Sequence, residues 1–376
     1  MNARSLGTPW RQADPLLLTT TLALAGLGTI LVISATWHYT EPPSIVHNPW
    51  LLKQVLFLFL GLAAMVFCAT TRAAALRNLA FVFYGISLLI LVAVAIAGKG
   101  SIENGADAQR WLEIGGLQLQ PSEPAKLALI LALARVFSSR PPGLQTTLLS
   151  AITAGVPIGL VYIEPNLGTA LSMLAIWLGM LVLSGTPKRY LAATLALNLM
   201  ALPVLWMGMH DYMRQRILTF LNPQAYALTD GYNLLQAQIS IGSGGLWGKG
   251  LFEGTQTQLR YLRLSHSDFI FSVLGEELGF VGSMLLLVLF AILLFRVFRA
   301  YEMAQGRFSA LIAAGIASLI AFQVVANIGG NVGMNPLAGI PLPLLSYGGS
   351  ALVTQLAGLG LVQATLISRR LYRFEV

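Results

Sequence analysis

The sequence predicts an all-α polytopic membrane protein of about ten transmembrane helices, with both termini cytoplasmic and a large extracytoplasmic loop between helices 7 and 8. Three observations carry this. The 376 residues are 56% hydrophobic and only 10% charged, with a mean hydropathy of +0.72, whereas soluble domains carry about 25% charged residues. Apolar runs of near-spanning length recur along the whole chain. Lys and Arg fall in alternate connecting segments, as the positive-inside rule requires.

The spans begin near Leu16, Trp50, Leu79, Glu123, Leu148, Thr169, Tyr190, Asp268, Phe308 and Ser350. Arg4 and Arg11 precede a first run too long for the apolar core of a signal peptide, so it reads as a retained span. The fourth to sixth runs are short, about 15 clearly apolar residues against the roughly 20 of a full span. Arg72/Arg77, Arg135/Arg140, Lys188/Arg189, Arg296/Arg299/Arg307 and Arg369/Arg370/Arg373 mark the cytoplasmic segments, while the short loops 37–49, 163–168 and 335–349 hold no Lys or Arg. Two longer segments, 98–122 and 210–267, fall outside, and a loop as long as the second is usually functional. The chain thus reads as a single transmembrane domain, 1–376, without a large soluble part.

Composition also excludes several chemistries. One cysteine, Cys68, permits no intramolecular disulfide and reads as a buried spectator. His38, His47, His210 and His266 lack the spacing of a zinc motif. The net charge of +8 is largely topological and gives no reason to expect nucleic acid. In "IGSGGLWGKG" (241–250) Ser243 stands where a Walker loop needs its first glycine, and Gly250 follows the lysine, so nucleotide use is unsupported. Its five glycines permit a tight turn or an anion-binding nest.

Polar residues where lipid is expected are the candidates for chemistry. "LSHSDFIFSVLGEELGFVG" (264–282) reads as the start of a helix carrying Asp268, Glu276 and Glu277. At about 100° per residue, Asp268 heads a stripe of Ser272, Gly275, Gly279 and Gly282. Glycine stripes mean close helix packing, but the acids cost about 2.5–3.5 kcal/mol each on insertion scales and need another explanation. Asp268 is either a helix cap or a reacting carboxylate. Glu276 and Glu277, about 12–13 Å deeper, fit partners buried in the protein. In "QPSEPAK" (120–126) Ser122 reads as a cap and Pro124 as a first-turn residue. Glu123 and Lys126 share a face, either as a self-neutralising pair or as a polar wall with Lys126 meeting an anion. Arg214 and Arg216 in the long loop run against positive-inside placement.

"HSDFIFSVLGEELGFVG", "GYNLLQAQISIGSGGLWGKGL", "GTQTQL", "IPLPLLSYGGSAL", "QRWLEIGG" with "QPSEPAK", and "DPLLL" near the start together resemble the SEDS family (shape, elongation, division and sporulation). The resemblance spans almost the whole chain, and "GKG" with "GTQTQL" and the short tail resembles the RodA-like elongation branch more than the FtsW-like division branch. It implies a peptidoglycan glycosyltransferase that polymerises lipid II at the outer face of the bacterial inner membrane during elongation and rod-shape maintenance. The family's essential aspartate falls on Asp268. Its cavity residues fall on Glu123 and Lys126, and its outer-loop arginines on Arg110, Arg214 and Arg216. Lys249 and Ser346 are further candidate substrate contacts.

The implied partners are lipid II and the growing glycan strand, a class B penicillin-binding-protein transpeptidase, other elongation-complex membrane proteins and membrane lipid. The implied chemistry is a base for an acceptor hydroxyl and cationic stabilisation of a leaving diphosphate, with a divalent cation (magnesium or manganese) able to bridge phosphate oxygens. Arg263-Leu264, where the family often has Pro-Glu, and Asn166, where many relatives have aspartate, depart from the pattern. The alternatives are a flippase for the lipid-linked precursor, which should show polar groups near the midplane and broken helices in matched halves, and a scaffold whose acids serve only packing.

Overall fold

The computed structural model describes residues 13–37, 49–97, 99–100, 109–114, 117–229, 231–336 and 339–373. Arg4, Arg11, His38 and His47 lie outside these residues. The spans are α1 (Pro15–Thr36), α2 (Pro49–Thr70), α3 (Ala73–Ala97), α4 (Ser122–Ser139), α5 (Leu144–Ile163), α6 (Leu167–Leu183) and α7 (Lys188–Met207). After the long loop come α11 (Ile270–Met303), α12 (Arg307–Val332) and α13 (Gly349–Arg373), and within it lie α8 (Asp211–Leu221), α9 (Tyr232–Ser243) and α10 (Thr255–Gln258). Eight of the spans are long and apolar enough to cross a membrane alone, and α4 and α6 complete the ten. α4 and α6 are short as expected, at 18 and 17 residues, but α5 is a full span of 20. Its Thr146, Thr147 and Ser150 dilute the apolar signal while bonding to backbone carbonyls.

The segment before α4 adds a small antiparallel sheet, β1 (Lys99–Gly100), β2 (Gln109–Ile114) and β3 (Leu117–Leu119) in the order β1-β2-β3. The rest is helical, as an all-α reading requires. α12 runs through the centre against α4, α6, α11 and α13, and most of its apolar window is buried. α2 lies along α13 so closely that a side chain at Gly360 would strike the Met65 carbonyl, the close approach that small residues permit between membrane helices. Cys68, on α2, is half-buried rather than fully enclosed.

At the end opposite Asp268, Asp14 caps α1 through Leu17 N at 2.9 Å and pairs with Arg296 of α11. The Asp14 backbone exchanges two bonds with the Gln363 side chain of α13, at 2.9 and 3.0 Å. The start of α1 and the later part of α13 therefore meet at one end of the bundle, as an even number of spans requires.

Two predictions about 264–282 need correction. The helix begins at Ile270 with Phe269 at its cap position and no side-chain cap bond, so Asp268 lies in the preceding turn and is not the cap. α11 is also two helical segments joined at Gly279 (φ 65°, ψ −159°), which breaks the continuous stripe. The backbone groups freed there are taken up by the glycine-rich turn 244–250. Lys249 N and Gly250 N donate to the Glu276 and Glu277 carbonyls, both at 3.0 Å, while Phe280 N and Val281 N donate to Gly245 O and Leu246 O at 2.9 and 3.1 Å. The glycines of "IGSGGLWGKG" thus form a backbone plug in a broken helix, and an anion nest is not what they make. A side chain at Gly248 (φ +82°) would sit 2.1 Å from the Glu277 carbonyl.

Candidate active site

Asp268 is set where the turn 264–269 meets the loop 339–348. Both ends of this contact are fixed through main chain. Ser346 Oγ donates to Ser267 O at 2.6 Å and accepts from Leu342 N at 2.8 Å. Tyr347 N donates to His266 O at 2.8 Å, and Ser265 Oγ donates to Ala35 O of α1 at 3.3 Å. Leu264 adopts a left-handed φ of 54°, and its carbonyl accepts from Ser267 N at 3.1 Å and Phe269 N at 3.4 Å. Arg263-Leu264 thus still delivers a tight turn.

Two residues that the sequence did not flag hold the backbone of Asp268. Asn327 and Asn331 of α12 each donate from Nδ2 to the Asp268 carbonyl at 3.0 Å. Asn327 also donates to Ile340 O at 2.8 Å, and Ser272 Oγ donates to Asn331 Oδ1 at 2.6 Å. The available signal was their i, i+4 spacing, which puts two amides on one face of an apolar helix. With its carbonyl doubly accepted, the half-buried Asp268 is held in place independently of what its carboxylate meets.

Arg216 reaches the same point from α8. A Cβ on Gly339 (φ +62°) would lie 3.1 Å from Arg216 Nη1 and 3.8 Å from Asp268 Oδ2. Guanidinium and carboxylate therefore flank one backbone position that only glycine can occupy without strain. α8 is steered there by Tyr212, whose hydroxyl bonds to the Pro165 carbonyl, with Arg216 lying 5.9 Å from the Tyr212 ring centre.

Glu123 and Lys126 pair at 2.7 Å at the start of α4, both almost wholly buried. Proline 121 holds the cap position rather than Ser122, and Ser122 Oγ and Glu123 Oε2 find no hydrogen-bond partner among the described residues. Gln120 N donates to Ser350 Oγ at 2.9 Å, which ties this helix start to α13 just beyond Tyr347. The pair neutralises itself through one carboxylate oxygen and keeps Glu123 Oε2 as a spare acceptor.

The other candidates have partners within the chain. Lys249 Nζ is 2.7 Å from Glu276 Oε1 and 2.8 Å from Thr255 Oγ1. Glu276 also accepts from Gln256 N at 3.1 Å, and Glu277 accepts from the buried Ser34 Oγ; the partners of Glu276 are only part-buried, and Oε2 of each acid finds no hydrogen-bond partner among the described residues. Arg214 turns back to the end of α7, donating to Trp206 O at 3.2 Å and Met207 O at 2.8 Å. It caps a helix that would otherwise expose its last carbonyls. Ser346 serves the backbone ties above. Arg110 lies in β2, and its side chain is outside the described residues. Asn166 caps α6 through Thr169 N at 3.3 Å.

His266 packs between Trp50, at 4.6 Å, and Tyr347, at 5.6 Å between ring centres. Burial pushes it down to about 4, so its imidazole is neutral at neutral pH and adds no cation beside Asp268. Among the described residues no three His, Cys, Asp or Glu side chains converge as a metal cluster. Magnesium, however, is commonly held by one or two carboxylates together with substrate phosphates, and Asp268 fits that role.

Residues 15–371 match the cell cycle protein family of FtsW, RodA and SpoVE. The chain is 37% identical over 361 residues to the peptidoglycan glycosyltransferase MrdB of Escherichia coli K12, covering 95% of this chain and 94% of that one. A solved chain described as "Structural coordination of polymerization and crosslinking by a peptidoglycan synthase complex" superposes with a TM-score of 0.78 at 34% identity, covering 95% and 98%. The rod shape determining protein RodA of Thermus thermophilus gives a TM-score of 0.70 at 33% identity, covering 96% and 98%.

Proposed function

Because the chain belongs to the FtsW, RodA and SpoVE family of cell cycle proteins, we propose that the site around Asp268 is the centre at which this peptidoglycan glycosyltransferase polymerises lipid II. The enzyme class and its elongation branch follow from extended identity to MrdB and RodA, as does its place as a multi-pass inner-membrane protein. That relationship does not favour the flippase alternative. The finer reading concerns residues, substrate and side.

The observation that carries it is the approach of Arg216 and Asp268 to one point beside Gly339. In glycan polymerisation an acceptor hydroxyl attacks the anomeric carbon of a second unit. The new glycosidic bond forms as the bond to the lipid diphosphate breaks, the hydroxyl proton leaves, and the diphosphate departs with the electron pair. A carboxylate whose backbone is clamped by two amides of α12 suits the uptake of that proton. A fixed guanidinium beside it suits the departing charge, through bidentate bonds to phosphate oxygens. Lys126, with Glu123, would line the approach to the same phosphates. A divalent cation, where bound, would be held by Asp268 together with substrate phosphates and would supply charge neutralisation of the diphosphate.

The Asp268 end would face the extracytoplasmic side, and a class B penicillin-binding-protein transpeptidase would cross-link the product. The test uses purified protein, with and without that transpeptidase, and labelled lipid II. Asp268→Asn should fold and bind its partner normally yet polymerise about 10²–10⁴ times more slowly. Near-normal polymer from a well-folded Asn variant would remove Asp268 from proton transfer.

A further inference from the structure

The plug at the α11 break places an apolar tip where lipid begins. Below the break, residues 280–295 hold no charge and end at Arg296. From Gly279 to Arg296 the rise is about 25 Å, close to the roughly 30 Å of a hydrocarbon core. The break therefore lies just inside the membrane boundary on the Asp268 side. The four backbone bonds between residues 245–250 and 276–281 hold the tip at that depth.

What the tip shows outward is apolar. Leu246 is 65% and Trp247 77% exposed, beside Phe280 at 55% and Val281 at 45%. The same exposed surface continues down α11 through Leu285 and Val288, where only lipid or another membrane helix can cover it. What the tip turns inward is polar. Lys249 meets Glu276, and Gly248 N donates to Gly244 O at 2.8 Å. Gly248, Lys249 and Gly250 N–H and the Gly245 and Leu246 carbonyls are all bonded inside the protein, as irregular chain near membrane depth requires. Tryptophan is also the side chain favoured at the headgroup boundary.

We propose that Leu246 and Trp247 are an interfacial lipid anchor, inserted among the acyl chains of the leaflet on the Asp268 side. Its consequence for the reaction rests on the reading above. The tip is bonded to Glu276 and Glu277, two turns along the helix from Asp268, so the anchor would fix the height of Asp268 against the surface where a lipid-linked diphosphate sits. The anchor itself can be tested without activity, which keeps the two claims separable.

Single cysteines at Leu246 or Trp247, in a Cys68→Ala background, would carry a bimane fluorophore in phosphatidylcholine–phosphatidylglycerol vesicles, with a cysteine at Thr229, an exposed loop position, as the aqueous control. Nitroxide lipids labelled near the top of the acyl chain should quench positions 246 and 247 at least about twofold more than position 229, and iodide should do the reverse. Quenching of 246 and 247 by iodide but not by lipid would overturn the anchor. Protection from both quenchers would overturn it too, since protein, either a second copy or a partner helix, would then cover the tip.

Discussion

Asp268 owes its position to amides on a neighbouring helix. Asn327 and Asn331 both donate to its carbonyl, and Asn331 in turn accepts from Ser272. Replacing Asn331 by Leu removes one donor and leaves the Ser272 hydroxyl without its acceptor, at a cost of about 1–3 kcal/mol. The larger effect should be on rate, because small misplacement of a reacting group costs about 10²-fold. We expect Asn331→Leu to insert normally and to lower kcat far more than KM; a fall in Tm with kcat unchanged would make the clamp purely structural. Asp268 was visible in the sequence as a candidate, since a carboxylate beside an apolar span calls for a reason. Its clamp was not, because buried Asn pairs usually serve helix packing and nothing local says which carbonyl they seek. His266 gives the residue scale its pH dependence. Its folded value near 4 lies below its ordinary 6.5, so between these values the unfolded chain binds a proton that the folded chain does not. The stabilisation is therefore complete above about pH 6.5 and is lost as pH falls toward 4, by roughly 3 kcal/mol in all. Thermal melts in detergent should show His266→Phe losing less stability than the parent across that window, and parallel curves would refute the linkage.

At the scale of elements, the controlling feature is the junction of the 244–250 turn with the break in α11. Period and composition made 264–282 look like one helix, because a helical wheel assumes continuity and cannot show a single left-handed glycine at position 279. The five glycines of 241–250 signalled a turn, but their partner was another stretch of backbone some thirty residues on, which spacing does not reveal. The same holds for the three-stranded sheet before α4, whose strands are too short to stand out in a long polar loop. The junction makes a sharp prediction. Gly248→Ala places a methyl 2.1 Å from the Glu277 carbonyl at φ +82°, so strain of about 1–3 kcal/mol should appear along with loss of the Lys249–Glu276 register. Gly242→Ala, in α9 with nothing within 4 Å of the added carbon, should be neutral or better by up to about 1 kcal/mol. Equal Tm values for the two variants would mean that the plug is not needed to hold the broken helix.

For the whole molecule, span positions were readable to within a few residues because lipid leaves so few options: every backbone group at membrane depth must find a partner inside the protein, and helices do this locally. The first turn of most spans follows a composition change at the membrane surface, so the ten starts survive almost unchanged. α3 starts six residues earlier than read, at Ala73 rather than near Leu79, since Arg77 and Asn78 interrupt its apolar run. The long loop was legible only as long; its helices are set by contacts of α8 with Pro165 and of α9 with α11 and α12 that no local pattern encodes. Sidedness is a prediction of the Lys/Arg alternation, while the fold itself only requires that α1 and α13 meet at one end through Asp14 and Gln363. Loop 339–348 is a poor reporter, as Leu342, Leu344 and Leu345 are buried. Cysteines at Gln224 and Met334, both exposed on the Asp268 side, should instead react with an impermeant thiol reagent in intact cells with the outer membrane permeabilised, in a Cys68→Ala background. Cysteines at Gln305 and Arg140, exposed at the other end, should react only after the inner membrane is breached. The reverse pattern would place Arg216 and Asp268 in the cytoplasm, where an extracytoplasmic transpeptidase could not receive their product, and would require the reaction to be assigned to the opposite face.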